Sequence, residues 1–328
     1  MPKRSAKLSP SIVELDGPFQ HGHVHTCGLR LHTVSAGSVS DPLIVLLHGA
    51  FGGWFEYRHI IADLADAGYH VVAVDLRGYG MSDHPPVTAG QDIRSDSRQI
   101  SGLITALGYE SAYIIGYDIG GALGWALASK SPQQVDGFIA VASAHPVDLR
   151  KTVQTQPWNF LWILLRAALM RLPSCVYLPF PRRFEWLYRR NLSSETTAEF
   201  TDSQAFADEL HLRVQASKIG RSRAVALQHN RHLLSFAPGS WLDQPISVPV
   251  TLLHAEQSLW KRLTARSAQR MHAPWKALTL QGSKNMPHIE KPQAFARMVI
   301  QQIEEWRSAK NAASRASVSA ASAAHDNR

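Results

Sequence analysis

One aspartate, Asp118, stands at the centre of a turn whose flanking residues are small. It lies two residues after Gly116 and two before Gly120, between an apolar run and a helix-like segment. Small residues at those positions suit a sharp strand-to-helix turn, because larger side chains would clash across it. Such a turn exposes its central side chain above a sheet, beside a helix N-terminus. A carboxylate placed there can act as a nucleophile that forms an ester, whereas an ordinary helix N-cap is the alternative interpretation.

Two glycine-rich loops decide between these interpretations. The run from His48 to Gly53 follows the third predicted strand, and the run from Asp75 to Asp83 follows the fourth. The glycines of the second loop suit a tight turn below the site, and its charged residues are interpreted as structural. Together with the turn at Asp118, the loops favour a reactive site.

Strand signals alternate with helix signals along most of the chain, which is typical of a mostly parallel sheet with crossover helices. Eight strands are predicted, at residues 23–26, 29–35, 42–47, 71–75, 112–117, 137–142, 249–254 and 275–280. Helices of the same domain are predicted at residues 57–67, 94–107, 119–129 and 292–306. Between strands six and seven only helix signals appear, so we expect a helical cap inserted after strand six.

The predicted organisation has five parts, which are an N-terminal extension (1–18), a first core part (19–145), a helical cap (146–240), a second core part (241–308) and a disordered tail (309–328). The tail is dominated by Ala, Ser and Asn. Such a segment buries too little apolar surface to offset its ordering entropy.

Bulk composition is that of a globular protein with a sizeable core, since 45% of residues are apolar and 18% are charged. The net charge is +8, but no basic run is interleaved with aromatics, so no nucleic-acid partner is expected. The two cysteines, Cys27 and Cys175, offer neither a disulfide framework nor metal-ligand spacing.

The start of the chain lacks the apolar stretch of a secretory signal, and no uninterrupted apolar span of about 20 residues follows, which predicts a cytoplasmic protein. One bulky apolar segment, from Trp158 to Leu165, precedes many arginines and could lie on a membrane surface. Lining the substrate pocket or the cap–core contact is the preferred interpretation of that segment.

On these motifs the chain resembles the epoxide-hydrolase branch of the α/β-hydrolase superfamily, especially the actinobacterial type, over roughly residues 19–308. The resemblance implies the α/β-hydrolase fold with a cap. It also implies that Asp118 is the nucleophile and that the backbone N–H groups of Ala50 and Ile119 form an oxyanion hole. No cofactor or metal is implied, and the substrate would be a hydrophobic small molecule that enters between cap and core.

The second half of the family's reaction lacks its usual residues here. In the family a His, oriented by an acid, activates the water that hydrolyses the ester. The base position of this chain holds Asn285, which cannot accept a proton at neutral pH. The acid position holds Ser258, which cannot balance the charge of an imidazolium.

The cap and the oxyanion loop depart from the family pattern as well. Asn230 stands where a late cap helix of the family carries a Tyr that polarises the epoxide oxygen, and Phe51 stands where the loop commonly has Pro. The predicted substrate contacts are Phe51, Trp54, Tyr177, Tyr188 and Asn230.

Three hypotheses follow from these departures. An active hydrolase would need a relocated base, such as His288 paired with Glu256, or with Asp148 as an alternative acid. A catalytically degenerate protein would keep the pocket as a binding or scaffold module, or be alkylated once at Asp118. Haloalkane dehalogenase chemistry is the third, but Ala50 and Ile119 stand where those relatives hold halide with Asn and Trp.

Overall fold

An eight-stranded sheet forms the centre of the protein in the computed structural model, which describes residues 8–86, 92–161, 164–165, 168, 181–232 and 239–326. Its strands are β1 (Gln20–Thr26), β2 (Leu29–Ala36), β3 (Leu43–Leu47), β4 (His70–Val74), β5 (Ala112–Tyr117), β6 (Val135–Val141), β7 (Val250–Leu253) and β8 (Trp275–Leu278). The order across the sheet is β1-β2-β4-β3-β5-β6-β7-β8. Strand β2 pairs antiparallel with β1 and β4, and all other neighbours are parallel. The predicted mostly parallel sheet is confirmed.

The central strands are buried on both faces, as their continuous apolar sequences predict. In β3, Ile44 and Leu46 belong to the core cluster on one face of the sheet, while Leu43, Val45 and Leu47 belong to the cluster on the other. Alternate side chains of a strand point to opposite faces, so this one short strand contributes to both layers of the core.

Helices cover both faces of the sheet. They are α1 (Ile61–Asp66), α2 (Ile93–Ala106), α3 (Ile119–Lys130), α4 (Pro146–Thr155), α5 (Pro181–Glu195), α6 (Ala198–Thr201), α7 (Gln204–Ala216), α8 (Ser222–His232), α9 (Gly239–Leu242), α10 (Ser258–Gln269), α11 (Pro287–Glu290) and α12 (Pro292–Asp326). Short 3-10 helices span Pro10–Val13, Trp54–Tyr57, Pro132–Gln134 and Pro157–Phe160. Helices α1 and α12 pack on one face of the sheet, and α2, α3 and α10 pack on the other.

Every described element between β6 and β7 is helical, where the sequence predicts an inserted cap. Helix α5 packs against α7, and α7 also contacts the 3-10 helix at Pro10–Val13. Within the described ranges, no helix is both long and apolar enough to cross a membrane.

Both ends of the chain contact or extend the core. In the N-terminal extension, Val13 is buried and its carbonyl accepts a hydrogen bond from Nε1 of Trp54 (2.9 Å). At the other end, α12 continues to Asp326, so the prediction of a disordered tail from residue 309 was wrong over that stretch. Alanine has the highest helix propensity, and extending an existing helix avoids the cost of nucleating a new one.

Candidate active site

The turn between β5 and α3 has the sharp geometry that its glycines predict. Asp118 adopts φ +50° and ψ −112°, a conformation that L-residues rarely occupy. A Cβ atom on Gly116 would lie 2.4 Å from the carbonyl oxygen of Gly120. A Cβ atom on Gly120 would lie 2.2 Å from the carbonyl oxygen of Leu47. Only glycine fits at either position, and the surrounding backbone holds Asp118 in its strained conformation.

The first oxyanion-hole candidate contacts the Asp118 carboxylate directly. The backbone N–H of Ala50 donates a hydrogen bond to Oδ2 of Asp118 at 3.1 Å. The second candidate, Ile119, is the first residue of α3, where backbone N–H groups have no acceptor within the helix. Its side chain is buried in the core. The structure therefore brings Ala50, Asp118 and Ile119 together at the edge of the sheet.

The loop that carries Ala50 is fixed by side chains that sequence reasoning missed. Oε2 of Glu56 accepts a hydrogen bond from the Gly49 N–H (3.0 Å), and the Tyr79 hydroxyl donates to the Ala50 carbonyl (3.0 Å). Burial raises the pKa of Glu56 to about 7, although the charge of Arg213 opposes this shift. Arg213 lies 2.5 Å from Glu56 and 2.9 Å from Glu209, so a buried ion network ties the loop to α7.

A cavity of about 290 Å³ adjoins Asp118. Its apolar wall is formed by Ala122, Ala142, Ala144, Pro146, Leu149, Phe160, Leu259, Trp260 and Leu263. Its polar wall is formed by Tyr117, Asp118, Ser143, Asn159, Ser194, Glu195, Gln257 and Asn285. A small, mainly apolar cavity with a few polar groups is typical of a site for a small molecule.

The substituted base position belongs to this cavity. Nδ2 of Asn285 donates a hydrogen bond to Oε2 of Glu195 (2.8 Å), and its backbone N–H donates to the Glu195 carbonyl (2.9 Å). Ser258, at the substituted acid position, is exposed at the start of α10. The base position therefore meets the nucleophile, and its carboxylate neighbour is Glu195, which the sequence did not single out.

The relocated base that the sequence suggested does not form. His288 is fully buried, and its ring packs against Tyr57, Tyr117 and Phe295. Neither ring nitrogen has a hydrogen-bond partner among the described residues. Burial, followed by the charge of Arg213, lowers the His288 pKa to about 3. Its proposed acid, Glu256, is exposed, so the pairing of these two residues was wrong.

The other candidate acid, Asp148, is engaged elsewhere. Its carboxylate is buried and accepts two hydrogen bonds from Arg270, at 2.6 and 2.8 Å, and one from Ser267 at 3.3 Å. This paired arrangement ties α4 to α10 and assigns Asp148 a structural role.

The predicted substrate contacts lie outside the wall of the Asp118 cavity. Phe51 and Tyr188 are buried against each other, with ring centroids 5.0 Å apart. Trp54 is fully buried in the core, and Nδ2 of Asn230 donates to the Ala226 carbonyl of its own helix (2.7 Å). Tyr177 falls outside the described residues. Packing, in place of substrate contact, is therefore the role that the structure assigns to the four described residues.

The apolar segment at the start of the cap is divided. Phe160 is buried and lines the cavity, as the preferred interpretation predicts, whereas Trp158 and Leu161 are exposed.

Comparison with known proteins agrees with this geometry. A family model described as alpha/beta hydrolase fold matches residues 42–259. The chain belongs to the α/β-hydrolase fold family. Epoxide hydrolase 3 of Xenopus tropicalis is 25% identical to it over 298 residues, which cover 89% of this chain and 80% of that protein. The AB hydrolase superfamily protein YfhM of Bacillus subtilis is 41% identical over 138 residues, 42% of this chain and about half (48%) of that relative.

Solved structures place this α/β hydrolase beside epoxide hydrolases. The crystal structure of Epoxide Hydrolase A from Mycobacterium thermoresistibile superimposes with a TM-score of 0.71 at 25% identity, covering 86% of this chain and 97% of that one. The resemblance to the epoxide-hydrolase branch is thereby confirmed, and the protein is an epoxide-hydrolase-like α/β hydrolase.

Proposed function

We propose that this protein opens the epoxide ring of a hydrophobic small molecule with the carboxylate of Asp118 and forms an ester intermediate. The observation that carries the proposal is the placement of Asp118 at a strained turn on the cavity wall, with the Ala50 N–H 3.1 Å from its Oδ2. The epoxide-hydrolase relatives support the same substrate class.

The contact between Ala50 and Asp118 suits both steps of such a reaction. In the first step, a carboxylate oxygen attacks an epoxide carbon, the ring C–O bond breaks, and the released oxygen takes a proton. In the second step, water attacks the ester carbonyl and negative charge develops on its oxygen. A backbone N–H already held within hydrogen-bond distance stabilises that charge without reorganisation.

Tyr117 is a suitable proton donor for the first step. It lines the cavity directly before Asp118 in the chain. Burial, with the charges of Glu195 and Asp118, raises the Tyr117 pKa well above its usual value. The phenol therefore stays protonated at neutral pH and can donate to the oxygen released from the epoxide.

The experiment is hydrolysis of a panel of aryl and long-chain epoxides by the purified protein and by Asp118→Asn, which keeps the shape of the side chain but lacks the nucleophile. We expect the native protein to form diols and Asp118→Asn to form none. Diol formation at equal rates by the two proteins would refute the role of Asp118.

A binding protein without turnover is the second candidate. The burial of His288 and the amide at position 285 favour it, because neither supplies an imidazole base to the cavity. In that case the native protein would form no diol, while epoxides or their diols would still raise its unfolding temperature.

A further inference from the structure

Two carboxylates line the cavity, and they come from different parts of the fold. Asp118 belongs to the turn after β5, whereas Glu195 is the last residue of α5, in the helical segment between β6 and β7. Glu195 is bound to Asn285 through both its backbone carbonyl and its side chain, at 2.9 and 2.8 Å. This double contact fixes a carboxylate at the position where relatives supply the base.

The orientation of the Asn285 amide follows from its partner. A carboxylate only accepts hydrogen bonds, so the amide NH₂ must face Glu195 and Oδ1 must face away from it. Oδ1 is buried and has no hydrogen-bond partner among the described residues. A buried acceptor on a cavity wall is satisfied when a molecule in the cavity donates to it.

Asp118 and Glu195 also act on a common neighbour. After burial, the charges of Glu195 and Asp118 are the two largest causes that raise the pKa of Tyr117. Both carboxylates therefore lie within electrostatic reach of one phenol that itself lines the cavity. This arrangement fits a base that works on a group attached to Asp118.

We propose that Glu195 is the general base that hydrolyses the ester formed on Asp118, and that Asn285 positions it and accepts one hydrogen of the attacking water. This inference rests on the proposed function. Glu195 replaces the imidazole that the chain lacks, and the helical segment between β6 and β7 supplies the group that completes turnover.

The step balances in atoms and charge. The water oxygen bonds to the ester carbonyl carbon of Asp118 while Glu195 takes a proton from that water. The tetrahedral intermediate then collapses, the bond from the carbonyl carbon to the alkyl oxygen breaks, and the alkyl oxygen receives the proton from Glu195. The diol leaves, both carboxylates are restored, and one water is consumed.

The test is a single-turnover reaction of Glu195→Gln with an aryl epoxide that the native protein hydrolyses, quenched at intervals and followed by intact mass. Removing a general base costs about 100-fold or more, so the ester should form at nearly the native rate and decay about 100-fold more slowly. Formation of the ester on Asp118 is itself evidence that the variant is folded.

Glu199→Gln is the matched control, because it removes the same charge from an exposed position in the adjacent helix, α6. We expect it to decay the ester at the native rate. Decay at the native rate in Glu195→Gln would overturn the role of Glu195 and leave that of Asp118 intact. If the native protein forms neither ester nor diol with the panel, the proposed function fails, and this inference fails with it.

Discussion

Replacing Arg213 with Met should destabilise the protein strongly, because its guanidinium lies between two buried carboxylates. Arg213 is 1% exposed, and Glu56 and Glu209 are fully buried. Removing one partner from a buried ion pair costs about 3–5 kcal/mol, since the remaining charge is left without compensation. Here one substitution leaves two such charges, so we expect a loss at or above the lower end of that range at pH 8.

The loss should shrink as the pH falls. Burial already raises the pKa of Glu56 from 4.5 to about 7, so the folded state binds more protons than the unfolded state between these values. Stability therefore falls as pH rises through this window and recovers as pH drops. Without Arg213 the shift becomes larger, and each uncompensated carboxylate contributes about 1.4 kcal/mol per pH unit.

Urea unfolding at pH 8 and pH 5.5, followed by fluorescence of the nine tryptophans, measures both effects. The control is Lys151→Met, which breaks an exposed pair with Asp243 and should cost about 1 kcal/mol or less. A loss below about 1 kcal/mol in Arg213→Met, or a larger loss with no pH dependence, would refute the reasoning about the buried network.

Three further substitutions separate the roles of the cavity residues. Asn285→His should speed ester decay about 10-fold or more in single-turnover mass measurements, because it returns an imidazole to a position beside Glu195; unchanged decay would contradict this. Tyr117→Phe should slow ester formation about 10-fold or more without changing its decay, and native-rate formation would remove Tyr117 as the proton donor. His288→Phe should change the free energy of unfolding by about 1 kcal/mol or less and leave turnover within a few-fold, because neither ring nitrogen is hydrogen-bonded within the described part of the chain; a 100-fold loss of diol formation would restore His288 as the base.

Local features of the chain were predictable because their causes lie within a few residues. The strands follow from continuous apolar runs, and the turn at Asp118 follows from Gly116 and Gly120, whose missing side chains the backbone geometry requires. The tail shows the limit of such reasoning. Its alanine-rich composition is compatible with disorder or with a helix, and the helix already begun at Pro292 decides between them.

The pairings within the site were not predictable, because their partners are far apart in sequence. Glu195 and Asn285 are 90 residues apart, and Glu56 and Arg213 are 157 residues apart. No composition or spacing near Glu195 marks it as different from a surface carboxylate. The sequence also placed Trp54 among the substrate contacts, whereas its burial depends on Val13 and the strands packed around it.

By itself, the sequence determined the sheet, its helices and the reactive turn, since steric limits and hydrophobic periodicity act locally. Tertiary structure alone decided which polar groups share the cavity with Asp118. It also decided that His288 is neutral among aromatic rings and that Glu195 stands beside Asn285. The physical reason is that protonation and hydrogen bonding depend on the surroundings of a side chain, and distant segments supply those surroundings only once the chain has folded.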